Sequence, residues 1–404
     1  MGKVAILTIA YNSEKYLEKC VNSVLKQTYS DFTYYLCDNG SNDETRALID
    51  KFAQNDSRIF PVYIDVNSLT NTFNQMLRTI YSSDCKYLSI LDSDDWYEPD
   101  FLKETIIKMD DEQVDICLIG SNFIRESTMK IEHKRVINKE LIITHSQIPD
   151  YFIYLHQFFR TTWGKLYRID VLRSKTILVG KYEYGADTVF ALECLRNSNN
   201  IAVLDKVLHN YLVRNTSDSY VYRADRLKSD IYLYEYPMSI LSEFGPISNL
   251  NKAFMYNVLS ISIKDSLTNL ILSDIDIEQK SQKILEFFEN NYARESWDFL
   301  DNVNDYIYET LSLEYYERDI INFFENMLTW IIKYLDNTVG DKKYTTALNL
   351  SNIMSNISAL LKDEKNFIQS NIYKYFIAEA MNDELKIVEY KNFLNEMGVE
   401  INTK

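Results

Sequence analysis

Glycine and proline are scarce, at 9 and 5 in 404 residues. Disordered chains, flexible linkers and turn-rich β repeats use both freely, so these classes are disfavoured and helix is favoured. Cysteine is sparse too. Cys20, Cys37, Cys85, Cys117 and Cys194 form no CxxC pair, and three sit in apolar, strand-like runs. An odd, scattered set reads as reduced core thiols in a cytosolic protein, not as a disulfide framework. No apolar run approaches the ~20 residues of a membrane-crossing helix. The apolar run at residues 4–10 is short and gives way at once to Asn12 and Ser13, which argues against a signal peptide. The expected location is cytoplasmic, with peripheral attachment at the inner membrane face left open. Basic residues are in deficit, 43 against 59 acidic, for a net charge of −16. No basic stripe is visible, so nucleic acid is not an expected partner. Few glycines beside many Lys, Asn and Ile suggest a bacterial source.

What is present is a chain long enough for two or three domains. Apolar residues make up 46% and charged residues 25%, as in ordinary folded proteins. The first third alternates strand and helix signals. Strands are expected at residues 4–9, 32–37, 60–64, 87–91 and 115–119, each apolar and rich in β-branched or aromatic members. Asn12 or Ser13 could cap a helix whose apolar face is Leu17, Val21, Val24 and Leu25. Ser41-Asn42-Asp43-Glu44 reads as a capping box for another. Pro99 suits the first turn of a third. Such alternation implies an α/β fold with a doubly wound, mainly parallel sheet.

Ligands of such sheets bind beyond the carboxyl ends of the strands. Three polar clusters each follow a strand directly: Tyr11-Asn12, Asp38-Asn39-Gly40, and Asp92-Ser93-Asp94-Asp95. All three should meet on one rim. Three carboxylates on one tight turn repel each other unless a cation sits among them. A hard divalent ion, Mn²⁺ or Mg²⁺, held by one or two carboxylates plus substrate phosphates, fits that chemistry. Alone, an Asp-x-Asp turn could equally be an acidic helix cap.

Thr8-Ile9-Ala10-Tyr11-Asn12, the turn Asp38-Asn39-Gly40-Ser41-Asn42-Asp43, and Leu91-Asp92-Ser93-Asp94-Asp95 stand in an order and spacing that resembles glycosyltransferase family 2. Further similar segments are Trp163-Gly164-Lys165-Leu166-Tyr167, Gly185-Ala186-Asp187-Thr188-Val189-Phe190, and His209-Asn210-Tyr211 through Arg214 and Ser217. The resemblance covers residues 3–220 or so and implies a GT-A fold and an inverting, metal-dependent transfer of a hexosyl or N-acetylhexosaminyl group. The implied donor is a nucleotide sugar, specifically a UDP-sugar. The implied acceptor is a hydroxyl of a glycan or glycoprotein. Tyr11 would lie against uracil and Asp38 would accept from its imide N–H, which a carboxylate can do. Asn12, Asn39 and Asn74 complete the donor-binding set. Asp92 would touch the ribose or steady the metal, and Asp94 would be its direct ligand. His209 is a candidate third ligand, whereas His133, His145 and His156 show no ligand spacing. Asp187 would be the general base, a position it could share with a helix-capping role.

Two departures qualify the match. Ala186 stands where the family has Glu, and Phe73 stands where it has an Arg near the donor phosphates. Phosphate charge would then rest on the metal and on bases such as Arg78 or Lys165. These departures also support a rival reading, a non-catalytic carbohydrate- or protein-binding scaffold on a degenerate transferase domain. A sugar-1-phosphate nucleotidyltransferase would need a glycine-rich basic loop after the first strand, and Ala10-Tyr11-Asn12-Ser13-Glu14 is not one.

Residues 120–220 look irregular. Beyond them the pattern turns helical, with Ile320, Ile321, Phe324, Met327, Leu328, Ile331, Ile332 and Leu335, then Leu350, Ile353, Ile357 and Leu360, at helical spacing. No fixed-length repeat is evident. The expected division is a transferase domain at 1–220 and an all-α domain at 221–404, with the boundary zone near 220–245, where Pro237 and Gly245-Pro246 interrupt the pattern. Acceptor binding or homo-oligomer formation is expected of the helical part.

Overall fold

The computed structural model describes residues 2–175, 177–179, 184–214, 222–300 and 302–399. They divide into two compact units, Met1–Ser219 with Glu235–Ile247, and Tyr220–Tyr234 with Ser248–Lys404. The first is built on strands β1 (Val4–Ala10), β2 (Phe32–Asn39), β3 (Ile59–Ile64), β4 (Tyr87–Ile90), β5 (Trp96–Tyr97), β6 (Ile116–Arg125), β7 (Lys130–Arg135), β8 (Leu141–Thr144), β9 (Lys165–Arg168) and β10 (Asn200–Val213). Its helices are α1 (Leu17–Leu25), α2 (Thr45–Asn55), α3 (Leu69–Tyr81), α4 (Phe101–Asp111), α5 (Ile148–Leu155), α6 (Ile169–Lys175) and α7 (Ala186–Asn197). Helix α8 (Arg226–Ser242) is shared between the units.

The strands form one sheet in the order β3-β2-β1-β4-β9-β6-β10-β5, with β7 beside β6 and β8 beside β10. The first four are mutually parallel, as expected of alternating strand and helix. Strand β9 enters antiparallel between β4 and β6, and the β6–β10 pair is parallel again. The fold is therefore the expected mainly parallel α/β sheet of GT-A type, followed by an all-α region. Residues 120–220 are more regular than expected. They carry β10, which runs 14 residues through Asp205, Lys206, His209 and Asn210. Those polar residues interrupt the apolar run by which a strand is read from sequence.

One sheet face packs against α1, α2 and α4. Val4, Ile6, Tyr34 and Leu36 meet Leu17, Val21 and Val24 on one helix and Phe101, Leu102 and Ile106 on another. Neither Asn12 nor Ser13 caps α1, which starts after Tyr16 with no side-chain cap. Asn12 instead takes φ +47° and turns its side chain to the next loop. The expected box at Ser41–Glu44 also does not form. Asp43 Oδ1 accepts from Thr45 N–H at 3.0 Å, and α2 follows without a side-chain cap. All five cysteines are buried and unpaired.

The second unit holds α9 (Asn249–Leu272), α10 (Ile277–Phe288), α11 (Asn291–Leu300), α12 (Asp305–Thr310), α13 (Leu313–Gly340), α14 (Tyr344–Leu360), α15 (Glu364–Met381) and α16 (Glu384–Glu396). Pro237 lies inside α8 and does not interrupt it, so the expected break falls later, at Gly245-Pro246. Phe324, Met327, Leu328, Ile331 and Leu335 form the buried stripe of α13, and Leu350, Ile353 and Ile357 that of α14. Each of α13 to α16 packs on its neighbour in sequence.

The turns between these helices repeat. Lys342, Lys362 and Asn382 all adopt left-handed φ, at +59°, +55° and +55°. After each, an N–H reaches back five residues: Lys343 to Thr338 O, Asp363 to Ser358 O, and Asp383 to Ala378 O. These are Schellman closures, which favour glycine because a side chain at left-handed φ costs roughly 1–2 kcal/mol. Lys342→Gly is expected to stabilise this unit by about 0.5–1 kcal/mol in denaturant unfolding, some of the strain relief being offset by unfolded-chain entropy. Equal or lower stability would show that Lys342 makes a compensating contact. No helix among the described residues is long and apolar enough to cross a membrane.

Candidate active site

The three strand-end clusters do meet. Ala10 pairs with Asp38 across β1 and β2, which sets Tyr11 beside the Asp38-Asn39-Gly40 turn. Asn12 N–H donates to Ser41 Oγ at 3.0 Å, and Asn12 Oδ1 accepts from Asn42 N–H at 3.0 Å. Ser13 Oγ lies 2.8 Å from Ser93 Oγ, joining the first loop to the acidic turn after β4. Gly40 makes the second turn feasible. It sits at φ +77°, and a Cβ there would come within 3.1 Å of Asn67 N. One hydrogen-bonded rim thus spans the carboxyl ends of β1, β2 and β4.

On the β1–β2 side, Tyr11 presents its ring with 45% of its surface exposed. Asp38 Oδ1 accepts from Ser41 N–H at 3.1 Å, while Oδ2 is buried and has no hydrogen-bond partner. Oδ2 is thus a carboxylate oxygen with its acceptor capacity unused, on a side chain that is itself fully buried. The nearby asparagines each carry a hydrogen bond within the fold. Asn39 Oδ1 accepts from Thr72 Oγ1–H at 2.6 Å, and its Nδ2 donates to Asn67 Oδ1 at 2.9 Å, which fixes the start of α3. Asn74 Oδ1 accepts from Val179 N–H at 2.8 Å and pins residues 177–179 over α3. Asn12, as above, ties two loops. These three shape the rim through their neighbours.

On the β4 side, Asp92 and Asp187 line one cavity of about 150 Å³ together with Thr70, Phe73, Thr162 and Ala186. Asp187 lies in the first turn of α7, after Gly185 at φ +78°. The hydroxyl of Thr70 faces this region without a partner. Phe73 packs edge-on against Phe190 at 5.5 Å, so both positions that depart from the family pattern, 73 and 186, make apolar wall.

The carboxylates are under strain. Loss of surrounding water, then repulsion from Asp94 and Asp187, pushes the Asp92 carboxyl up to about 7. Asp92 keeps an open surface at the cavity mouth, which weakens the first cause; the repulsion acts regardless. Asp94 is likewise raised by burial, and Arg214 opposes that rise. Asp187 is raised by desolvation, against the pull of the Thr188 N–H, Arg160 and Lys165. Arg214 reaches Asp94 at 2.6 Å, and its guanidinium lies over the Tyr16 ring at 5.1 Å. It is the cation that offsets this turn. Arg214 belongs to a segment singled out in the sequence, but nothing in the sequence ties it to Asp94. Ser217 of the same segment lies outside the described residues.

Two of the residues expected at the site are not brought to the rim. His209 is fully buried, stacked on Trp163 at 4.5 Å, with Nε2 3.3 Å from Asp95 Oδ2 and Nδ1 3.1 Å from Ser121 Oγ. It faces Asp95, not Asp94. Asp95 in turn accepts from Leu212 N–H at 2.9 Å, so its carboxylate ties the acidic turn to β10. Lys165 is 1% exposed and donates to Trp163 O at 2.7 Å. Burial, then Arg135, holds its amine well below the usual lysine range. An amine sealed in this way presents no surface to a phosphate. Lys165→Met is therefore expected to leave UDP affinity within about twofold of wild type, under ~0.5 kcal/mol. Stability should change by about 1 kcal/mol or less, since one hydrogen bond is exchanged for one fewer buried polar group. A tenfold loss of UDP affinity in calorimetry would restore Lys165 to the donor site.

Among the described residues no group of three or more His, Cys, Asp or Glu side chains is arranged to hold a metal ion. The acidic turn alone supplies Asp92 and Asp94.

Residues 5–174 match the family model described as Glycosyl transferase family 2. The chain is similar to glycosyltransferase GlyA of Streptococcus pneumoniae, 20% identical over 95% of this chain and 56% of that protein. The chain thus spans about half the length of that relative. It is also similar to the putative glycosyltransferase EpsH of Bacillus subtilis, 23% identical over 62% of this chain and 72% of the relative. Among solved structures it is similar to S. aureus TarS in complex with UDP, with a TM-score of 0.45 and 17% identity over 95% of this chain and 92% of that one.

Proposed function

We propose that this chain, whose residues 5–174 form a glycosyltransferase family 2 domain, moves a sugar from a UDP-sugar to a hydroxyl of a glycan or glycoprotein, with inversion at the anomeric carbon. The observation that carries the reading is the shared cavity of Asp92 and Asp187, on the same rim as Tyr11 and the unpaired oxygen of Asp38. The base stacks on Tyr11 and gives its imide N–H to Asp38 Oδ2. The transferred sugar sits against the cavity wall. Asp187 takes the proton from the acceptor hydroxyl as that oxygen attacks. Its place beside Asp92 keeps one carboxylate at the donor and another free for the acceptor.

The acidic turn fits a divalent cation. Burial raises both Asp92 and Asp94, repulsion from Asp94 and Asp187 raises Asp92 further, and a cation relieves both effects. Asp94, aided by Asp92, would hold it, and the donor diphosphate would complete the set, since among the described residues too few protein ligands converge for a site of its own. When bound, such an ion supplies charge stabilisation to the departing diphosphate. Arg214, already on Asp94, is the protein's own cation beside that charge.

A screen of UDP-hexoses and UDP-N-acetylhexosamines for Mn²⁺-supported hydrolysis tests the reading. Release of UDP from one or more is the expected result. No turnover of any, with UDP still bound, would favour the non-catalytic scaffold.

A further inference from the structure

The helical unit holds a cavity that the transfer chemistry does not use. It measures about 800 Å³ and is walled by residues of α9 to α14. That lies within the ~300–1,000 Å³ of small-molecule sites. About half of its lining is aliphatic, and two other chemistries are set into that wall. Phe324 and Tyr316 bring aromatic surface, while Asn257, Asn356, Tyr308 and Glu317 bring hydrogen-bonding groups.

Asn257 is the informative residue. It lies mid-helix on the buried face of α9, 5% exposed, and its Oδ1 meets no hydrogen-bond partner. An unmet buried acceptor costs roughly 1–3 kcal/mol. A ligand hydroxyl in the cavity would recover that cost. Across the cavity the Tyr308 hydroxyl donates to Glu317 at 2.7 Å, which holds that carboxylate in place and leaves acceptor capacity on it.

Aromatic faces beside planar amide and carboxylate groups suit a molecule with one apolar C–H face and a rim of hydroxyls. A sugar ring is such a molecule. The charge in the lining is Glu317 and Glu325 against Lys362, on a chain of net charge −16. A phosphate-bearing or uronate polymer would be repelled, and a purely aliphatic chain would leave the amides unmet. We infer that this cavity binds a neutral oligosaccharide through Asn257, Asn356, Glu317 and the rings of Tyr316 and Phe324. Its identification as acceptor rests on the transferase reading; the binding itself does not.

The test uses the full chain and saturation-transfer NMR with cellobiose, lactose, maltose and N,N′-diacetylchitobiose, with glucose 1-phosphate as the anionic comparison. At least one neutral disaccharide should bind, and glucose 1-phosphate should not compete with it. Asn257→Leu and Tyr316→Ala should each weaken binding about tenfold, near 1.4 kcal/mol. UDP binding, measured on the same samples, should be unchanged. Asn257→Leu also removes the unmet acceptor, so its melting temperature should be equal or higher, which shows the loss is not unfolding. No neutral disaccharide binding, or binding untouched in both variants, overturns the inference. Disaccharide binding in a protein that does not bind UDP upholds the cavity and overturns the transferase reading.

Discussion

Asp187→Asn is expected to slow transfer about 10²–10⁴-fold, the usual worth of a positioned general base. The carboxylate stands in the first turn of α7 and faces the cavity that Asp92 also lines. The amide keeps the shape and the contacts of the helix start but cannot take a proton. Donor affinity should hold, because the groups assigned to the nucleotide are Tyr11 and Asp38 on the β1–β2 side of the rim. Single-turnover kinetics separate the two effects. Near-normal turnover would reduce Asp187 to a helix-start residue and send the search for a base to the loops between residues 120 and 220.

Chelation should be comparably severe. Charge stabilisation by a divalent ion is worth several kcal/mol, or about 10²–10³-fold in rate. Asp94→Ala should largely reproduce it. The geometry adds a sharper expectation. With too few converging protein ligands among the described residues, Mn²⁺ should bind weakly alone and much more tightly once UDP supplies phosphate oxygens. Calorimetric titration of Mn²⁺ with and without saturating UDP reads this directly. Full activity in excess EDTA would remove the metal from the account. Tight Mn²⁺ binding without UDP would mean a ligand set other than Asp92 and Asp94.

The parts of the fold that could be read from the residues are those with one dominant physical signal. Strands β1 to β4 are continuous apolar runs ending in polar turns, and parallel burial leaves few other uses for such runs. The meeting of three strand ends follows from the topology once those strands are accepted. The similar segment from His209 marks the later part of β10, but Asp205 and Lys206 break the apolar run before it, and the partners of its polar residues are distant in sequence. Asn210 Nδ2, for example, donates to Glu98 Oε1 at 2.8 Å.

The site shows the same division. Residue type and strand-end position placed Asp92 and Asp94 on the rim, and the family resemblance added Asp187. It did not show the bonds that the amides make within the fold. Asn12, Asn39 and Asn74 all bond to backbone or side chains from other loops, and only the folded chain shows those partners. Lys165 reads as a surface base in the sequence, yet the sheet seals it on β9. The helical repeat was hidden for another reason. Its turns are defined by backbone hydrogen bonds at Lys342, Lys362 and Asn382, where no common side chain marks the position.

The central claim is that one rim holds a uracil nucleotide. Calorimetric titration with UDP in the presence of Mn²⁺, on wild type and Asp38→Ala, tests it most directly. Asp38 Oδ2 is buried and unpaired, so a uracil N–H would gain a charge-assisted hydrogen bond there, worth about 1.5–3 kcal/mol. The account predicts UDP binding by the wild type and a loss of about 10–100-fold in Asp38→Ala. Equal UDP affinity in the two proteins, or none in the wild type, would contradict it.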